Sequence, residues 1–216
     1  MSDDTRPKGP VSREADKPQK EEQSKGNDTR GLIIKVGTNL FREIGFPKTT
    51  VNDIARRMHM SSANVYRFFH SRAEICDAIC ANILSSVETR GQEIAACHDA
   101  ATQKLIDLVR FIEATHYHRY RSDRNLHDLL EAAITENWPA IRQHTETMLA
   151  VFEHIVSAGI RSGEFREGNP TVDARILRIA FLRFCDPRLV VEYKHQREPT
   201  IDQMVDFCVN GICAVS

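Results

Sequence analysis

The 216-residue sequence has no apolar run approaching the ~18–20 residues needed to span a bilayer. Its first stretch, MSDDTRPKGPVSREADKPQKEEQSKGN, also lacks the apolar segment of a secretory signal, so a cytoplasmic location without membrane attachment is expected. No strand-type alternation is long enough to mark a sheet, and no internal repeat is visible. A Gly-rich phosphate loop, a paired-carboxylate motif and a nucleophile constellation are all missing, which speaks against an enzyme. The six cysteines (Cys76, Cys80, Cys97, Cys185, Cys208 and Cys213) contain no C-x-x-C pair. Cys76 and Cys80 share a helix face and Cys97-His98 follows, but reduced cysteines used in packing are the expectation, with no metal or cofactor. Oxidation sensing through Cys76 and Cys80 is a minor variant.

What is present is charge, unevenly spread. Residues 28–75 carry eight Lys/Arg against four acids, whereas residues 76–216 carry fifteen against twenty. A basic block beside an acidic one suggests that the first meets a polyanion. Residues 1–27 are rich in Pro, Lys, Glu, Asp and Gln, with Val11 their only large aliphatic apart from the initiator, and read as a disordered tail.

From Asp28 onward the pattern is helical throughout. Ile33, Val36, Leu40, Phe41 and Ile44 recur at three- and four-residue steps, and Gly45 and Pro47 close that helix. Thr50 with Asp53, and Ser71 with Glu74, have capping-box spacing; the second pair opens a long helix towards Cys97. About five further helices follow, including Pro139 to Gly163 with a stripe of Ile141, Thr145, Met148, Phe152, Ile155 and Ile160. A helix from Pro170 to Cys185 is capped by Asn169, and the last is opened by Thr200 and Gln203. The fold class is all-α.

Between residues 50 and 69 two short helices surround a tight turn. Ile54, Ala55, Met58, Met60, Val65 and Phe68 supply the inward positions of a helix-turn-helix, with Thr50–Met58 as support and Ser61–Phe69 as reader. The outward face carries Ser61, Ser62, Asn64 and Arg67, which suit base edges and phosphates better than the Glu/Lys pairs of a routine bundle surface.

FPKTTVNDIARRMHMSSANVYRFFHSRAEI resembles the DNA-binding domain of the TetR family of bacterial transcriptional regulators, whose pattern runs approximately T-T-V-x-x-I-A-x-x-A-G-V-S-x-x-x-L-Y-x-x-F-x-x-K-x-x-L. Thr49, Thr50, Val51, Ile54, Ala55, Ser61, Tyr66 and Phe69 match, and Met60, Val65, Arg72 and Ile75 match conservatively. The resemblance implies a three-helix DNA-binding domain over 28–75, followed by a helical ligand-binding and dimerisation domain over 76–216. Carried over, Thr50, Tyr66 and Arg72 touch phosphates, and Ser61, Ser62, Ala63, Asn64 and Arg67 enter the groove. Where the family favours a turn glycine, this sequence has His59.

The same resemblance implies a repressor that binds a pseudo-palindromic double-stranded DNA operator as a homodimer through its last two helices and is released by a small-molecule effector. Effector candidates are the aromatic and polar residues on apolar faces: His116, Tyr117, Tyr120, His127, Trp138 and Phe152. The apolar residues of the last two helices (Ile176, Ile179, Ala180, Leu182, Phe184, Met204, Val205, Phe207, Val209) are the interface candidates. The alternative is an architectural or cell-division DNA binder of the same fold without an effector. An enclosed cavity of a few hundred Å3 would favour the sensor.

Overall fold

The computed structural model describes residues 17–193, 195–196 and 198–212, with side chains from residue 28 onward. All regular structure among these residues is helical: α1 (Lys17–Ile44), α2 (Val51–Arg57), α3 (Ser62–Val65), α4 (Arg72–Ala96), α5 (Ala101–Ser122), α6 (Arg124–Thr135), α7 (Pro139–Ser162), α8 (Pro170–Ala180), α9 (Leu182–Cys185), α10 (Pro187–Glu192) and α11 (Ile201–Ile212). The first helix begins at Lys17, well ahead of the expected start at Asp28, so the tail expected over 1–27 is helical in its last part; its residues 1–16 lie outside the described ones.

Local signals set most helix ends. Asp53 N–H donates to Thr50 Oγ1 (3.2 Å) while Thr50 N–H donates to Asp53 Oδ2 (2.9 Å), completing the reciprocal box. Thr200 and Gln203 do the same at α11. At α4 the pattern slips: Ser71 Oγ accepts from Glu74 N–H (3.1 Å), but the Glu74 carboxylate accepts from His70 N–H (2.7 Å) and pairs with Arg30 (3.2 Å). Gly45 and Gly163 end α1 and α7 with φ of +84° and +77°, a left-handed backbone that costs glycine nothing sterically. The expected single helix from 170 to 185 is broken at Phe181, whose ring stacks on Phe152 (centroids 6.2 Å apart), and α10, capped by Asp186, follows where no helix was expected.

Two cores result. One joins α1, α2 and α3 to the first half of α4 and to α6, with Ile33, Phe41, Ile54, Val65, Phe69, Ile75 and Ile79 essentially excluded from solvent. The other lies among α4, α5, α7, α8, α9 and α11, around Leu105, Leu108, Phe152, Ile155 and Phe181. Helix α4 contributes to both: Ile79 belongs to the first and Val87 to the second. Whatever shifts α4 along its axis is felt in both. Of the stripe expected on α1, Ile33, Leu40 and Phe41 are buried, Val36 is half-buried and Ile44 is exposed.

Candidate functional site

Helices α1 to α3 form a compact head on the start of α4. Ile54 and Ala55 of α2 meet Val65 of α3 in its core, which fixes how the second helix stands on the first. The turn between them keeps the left-handed geometry at His59, φ +54°. Histidine tolerates this backbone better than most residues, at a cost of about 1 kcal/mol relative to glycine. Met60 N–H then returns to Ala55 carbonyl (3.0 Å).

The reader is shorter than expected. Its α-helical part is Ser62–Val65, and the chain to Phe69 continues in tight turns, with Arg67 N–H on Asn64 carbonyl (3.2 Å) and Phe68 N–H on Val65 carbonyl (3.0 Å). Ser61 caps it, taking Asn64 N–H at 3.2 Å. Ser61, Ala63, Tyr66 and Arg67 are exposed, and Ser62 and Asn64 are half-buried. The Ser62 hydroxyl donates to Asn52 Oδ1, and the Asn64 amide lies 3.8 Å from Met60 Sδ, so both have local partners. Arg67 has no ion-pair partner among the described residues, and Tyr66 stands 46% exposed.

Two expected phosphate contacts have internal tasks. The Thr50 hydroxyl donates to Asp53 (2.6 Å), which together with the box holds the Asp53 carboxyl below its ordinary range. Arg72, half-buried, donates from Nε to Thr49 carbonyl (2.9 Å) and from its guanidinium to Phe46 carbonyl, tying the α1–α2 loop to α4. Much of the head's positive charge is likewise spent: Arg30, Arg42, Arg56 and Arg57 are paired with Glu74, Asp123, Asp53 and Glu43. Lys48, exposed just before α2 and without an ion pair among the described residues, joins the candidate surface. It had shown in the sequence only as one charge of the basic block.

A cavity of about 120 Å3 is lined by residues of α4, α5, α6, α7, α8, α9 and the start of α10. Its wall is mostly apolar, including Leu84, Ile112, Leu130, Met148 and Phe152, with His116, His144, Thr145 and Arg178 supplying polar atoms. It includes two of the expected effector residues, His116 and Phe152. The other four are elsewhere. Tyr120 meets His127 edge to face (5.2 Å), and the buried His127 leaves Nδ1 without a hydrogen-bond partner among the described residues. Trp138 packs edge-on against Phe46 (6.4 Å) and donates to Glu136 (2.8 Å), a plug at a helix junction. Tyr117 is exposed.

Burial pushes His116 down to about 3, with Arg119 and His144 adding to the effect, so its imidazole is neutral at neutral pH. Arg119 donates to His116 Nδ1 (3.4 Å), which leaves the proton on Nε2. His144, also lowered by burial, is held by Glu88 (2.8 Å). His144 and Arg178 escaped the sequence reading, although Thr145 and Met148 on the same face of α7 were read as packing positions.

The two oxidation-sensor candidates are sealed. Cys76 and Cys80 are buried, and burial raises both thiols, Cys80 to about 12, so neither supplies a reactive thiolate. Cys76, Cys80, Cys97, Cys185 and Cys208 are all free, Cys213 lies outside the described residues, and no group of three metal-ligating side chains occurs among the described ones. No helix among those residues is long and apolar enough to cross a membrane.

The interface candidates of the last helices divide in two. Phe184, Val205 and Val209 serve the chain's own core, and Ala180 and Met204 are half-buried. Ile176, Ile179 and Leu182 along α8 and α9, and Phe207 on α11, remain exposed, Ile179 by 68% and Phe207 by 79%, and Val172, not among the candidates, is exposed beside them on α8.

A helix-turn-helix head on an all-helical body is an architecture of DNA-binding transcriptional regulators. Residues 33–79 match the model of the bacterial regulatory proteins of the tetR family, and residues 101–205 match that of the tetracyclin repressor-like C-terminal domain. The chain belongs to the TetR family: it is a DNA-binding transcriptional regulator and not an enzyme. It is 20% identical over 196 residues to the uncharacterized HTH-type transcriptional regulator YhgD of Bacillus subtilis, spanning 87% of this chain and 98% of that one. It is 22% identical over 188 residues to the fatty acid metabolism regulator protein of the same organism (83% and 93%). The crystal structure of FadR from Bacillus subtilis in complex with stearoyl-CoA shares the fold, with a TM-score of 0.59 at 20% identity over 84% of this chain and 98% of that chain.

Proposed function

We propose that this regulator is a ligand-released repressor that binds a pseudo-palindromic operator as a homodimer. The observation that carries the reading is the uncovered edge of the head, where Tyr66 and Arg67 project with no carboxylate among the described residues neutralising Arg67. Tyr66, Lys48 and the N-terminal amides of α2 suit phosphates, whereas Asn64 and Arg67 suit base edges. Thr50 and Arg72 act mainly by holding α2 and its loop in place.

Dimerisation is supported by the apolar stripe on α8, α9 and α11, since exposed side chains of that size in one patch are usual for an interface and unusual for a free surface. An interface there would set the distance between two heads.

The cavity supports an effector. Its 120 Å3 is below the few hundred expected of a large sensor pocket, and too small for a long acyl thioester such as the ligand bound in the FadR complex. The combination of an apolar wall with convergent polar atoms nonetheless fits a small ligand and argues against a purely architectural protein. Two routes link the cavity to the head. Leu84 of α4 lines it, and the first turn of α4 holds the α1–α2 loop through Arg72. Leu130 and Ile134 of α6 line it, and at the start of α6 Asp123 binds Arg42 (2.6 Å) while Asn125 donates to Arg42 carbonyl (2.8 Å). A ligand that prefers one setting of α4 and α6 biases the position of the head.

Replacing Ile179 and Phe207 together by Asp tests the assembly. The expected result is a folded monomer by sedimentation that has lost operator binding. A double variant that stays dimeric, or a monomer that binds the operator as tightly as the parent, would overturn the proposal.

A further inference from the structure

The charge lining the cavity does not balance. Arg178, half-buried on α8, makes one hydrogen bond, to Thr145 Oγ1 at 3.3 Å, and no carboxylate among the described residues lies within ion-pair distance of it. Asp186, the one acid in the wall, is fully engaged: its carboxylate takes the backbone N–H (2.9 Å), Nε (3.0 Å) and guanidinium (2.7 Å) of Arg188. Glu88, nearby, is held by His144. Cys185 is pushed up to about 12 by burial and stays a neutral thiol. Two of the remaining polar groups can donate: His116 Nε2–H, and the Thr145 hydroxyl, whose oxygen accepts from Arg178; His144, neutral and with its Nδ1–H given to Glu88, keeps only an acceptor nitrogen and offers an anion nothing. A guanidinium beside an apolar wall without a counter-ion is costly unless an anion completes it, and its planar fork matches a carboxylate in two hydrogen bonds.

Size limits the remainder of the ligand. A cavity of about 150 Å3 in another protein holds benzene, so 120 Å3 leaves room for one ring or a short chain. Resting on the reading of this cavity as the effector site, we infer that the effector is a small monocarboxylate. Its carboxylate sits on Arg178, Thr145 and His116, and its apolar part, a single ring or a short alkyl chain, lies against Phe152 and Met148.

Calorimetric titration of the full-length protein with benzoate and hexanoate, each beside its isosteric amide, tests this. At least one carboxylate should bind, its amide about tenfold or more weaker, and Arg178→Gln should abolish that difference while Arg178→Lys keeps part of it. Equal affinity for acid and amide, unchanged carboxylate binding by a folded Arg178→Gln variant, or no binding of either acid would overturn the inference. The effector reading fails separately: a carboxylate that binds in an Arg178-dependent manner but leaves operator affinity unchanged contradicts release by ligand and leaves the ligand class intact. Release of operator by the amide as readily as by the acid does the reverse.

Discussion

Arg67 and Arg178 both lack a carboxylate partner among the described residues, and the contrast between them separates the two halves of the molecule. Arg67 stands in water at the rim of the head, where an unpaired guanidinium costs almost nothing and remains available to any polyanion that approaches. Arg178 is half-buried in a mostly apolar wall, where the same group is held at a cost that the proposed anionic ligand would offset. The head therefore uses charge for reach, and the body uses it for selectivity. Salt should weaken the first far more than the second, because exposed charges are screened within about 8–10 Å at ordinary ionic strength.

The largest expected effect is in the head core. Phe69→Ala removes a fully buried ring that Arg30 covers at 4.2 Å, and should cost about 3–5 kcal/mol, unfolding the head before the body. Loss of operator binding with most helical circular dichroism retained would show it. If both halves melted together, the shared helix α4 would be coupling them more tightly than their separate cores suggest.

Acid should distinguish the halves in the opposite sense. His116 binds its proton near pH 3 in the folded chain and near 6.5 when unfolded, so between those values the unfolded chain holds more protons. Stability is thus unaffected above about pH 6.5 and falls as pH drops through that window, by up to about 1.4 kcal/mol per pH unit for each histidine kept neutral. His127 and His144 are lowered as well and act in the same direction. In the head, Asp53 and Glu74 are lowered, so their stabilisation persists until pH falls below the ordinary carboxylate range. Melting curves at pH 7 and pH 5 should therefore show destabilisation that His116→Gln reduces; an unchanged loss in that variant would place the acid sensitivity elsewhere.

Arg72→Ala and Arg67→Ala sharpen the division of labour within the head. The first frees two loop carbonyls from a charged donor and should lower stability by about 1–3 kcal/mol. The second should change stability by less than about 0.5 kcal/mol while altering which operator sequence is preferred. Urea unfolding alongside binding to variant operators measures both. The smallest effect is His59→Gly: relief of the left-handed backbone, offset by glycine's greater freedom when unfolded, should leave a gain on the order of 0.5 kcal/mol.

The parts of the fold that were legible in the sequence are those fixed by neighbours a few residues apart. The boxes at Thr50 and Thr200, the Asn169 cap and the Gly45 and Gly163 stops are of this kind. The break at Phe181 was not legible, because it coincides with stacking on Phe152 from a different helix. The same limit governed the site. Thr145, Met148 and Phe152 were visible as one face of α7, but periodicity marks a face without saying what it faces. That Arg178 and His116 come to the same space depends on α5, α7 and α8 converging. Arg72 is a related case: its position and type fit a phosphate contact, and only the fold shows that the carbonyls of Phe46 and Thr49 also lie within its reach.

The most direct test of the central claim is selection of DNA from a random duplex library by the full-length protein, followed by sequencing. Two copies of the Ser61–Arg67 segment held by one dimer should enrich an inverted repeat whose half-site centres lie one helical turn, or a whole number of turns, apart. Enrichment of an isolated half-site, or no sequence enrichment at all, would contradict it.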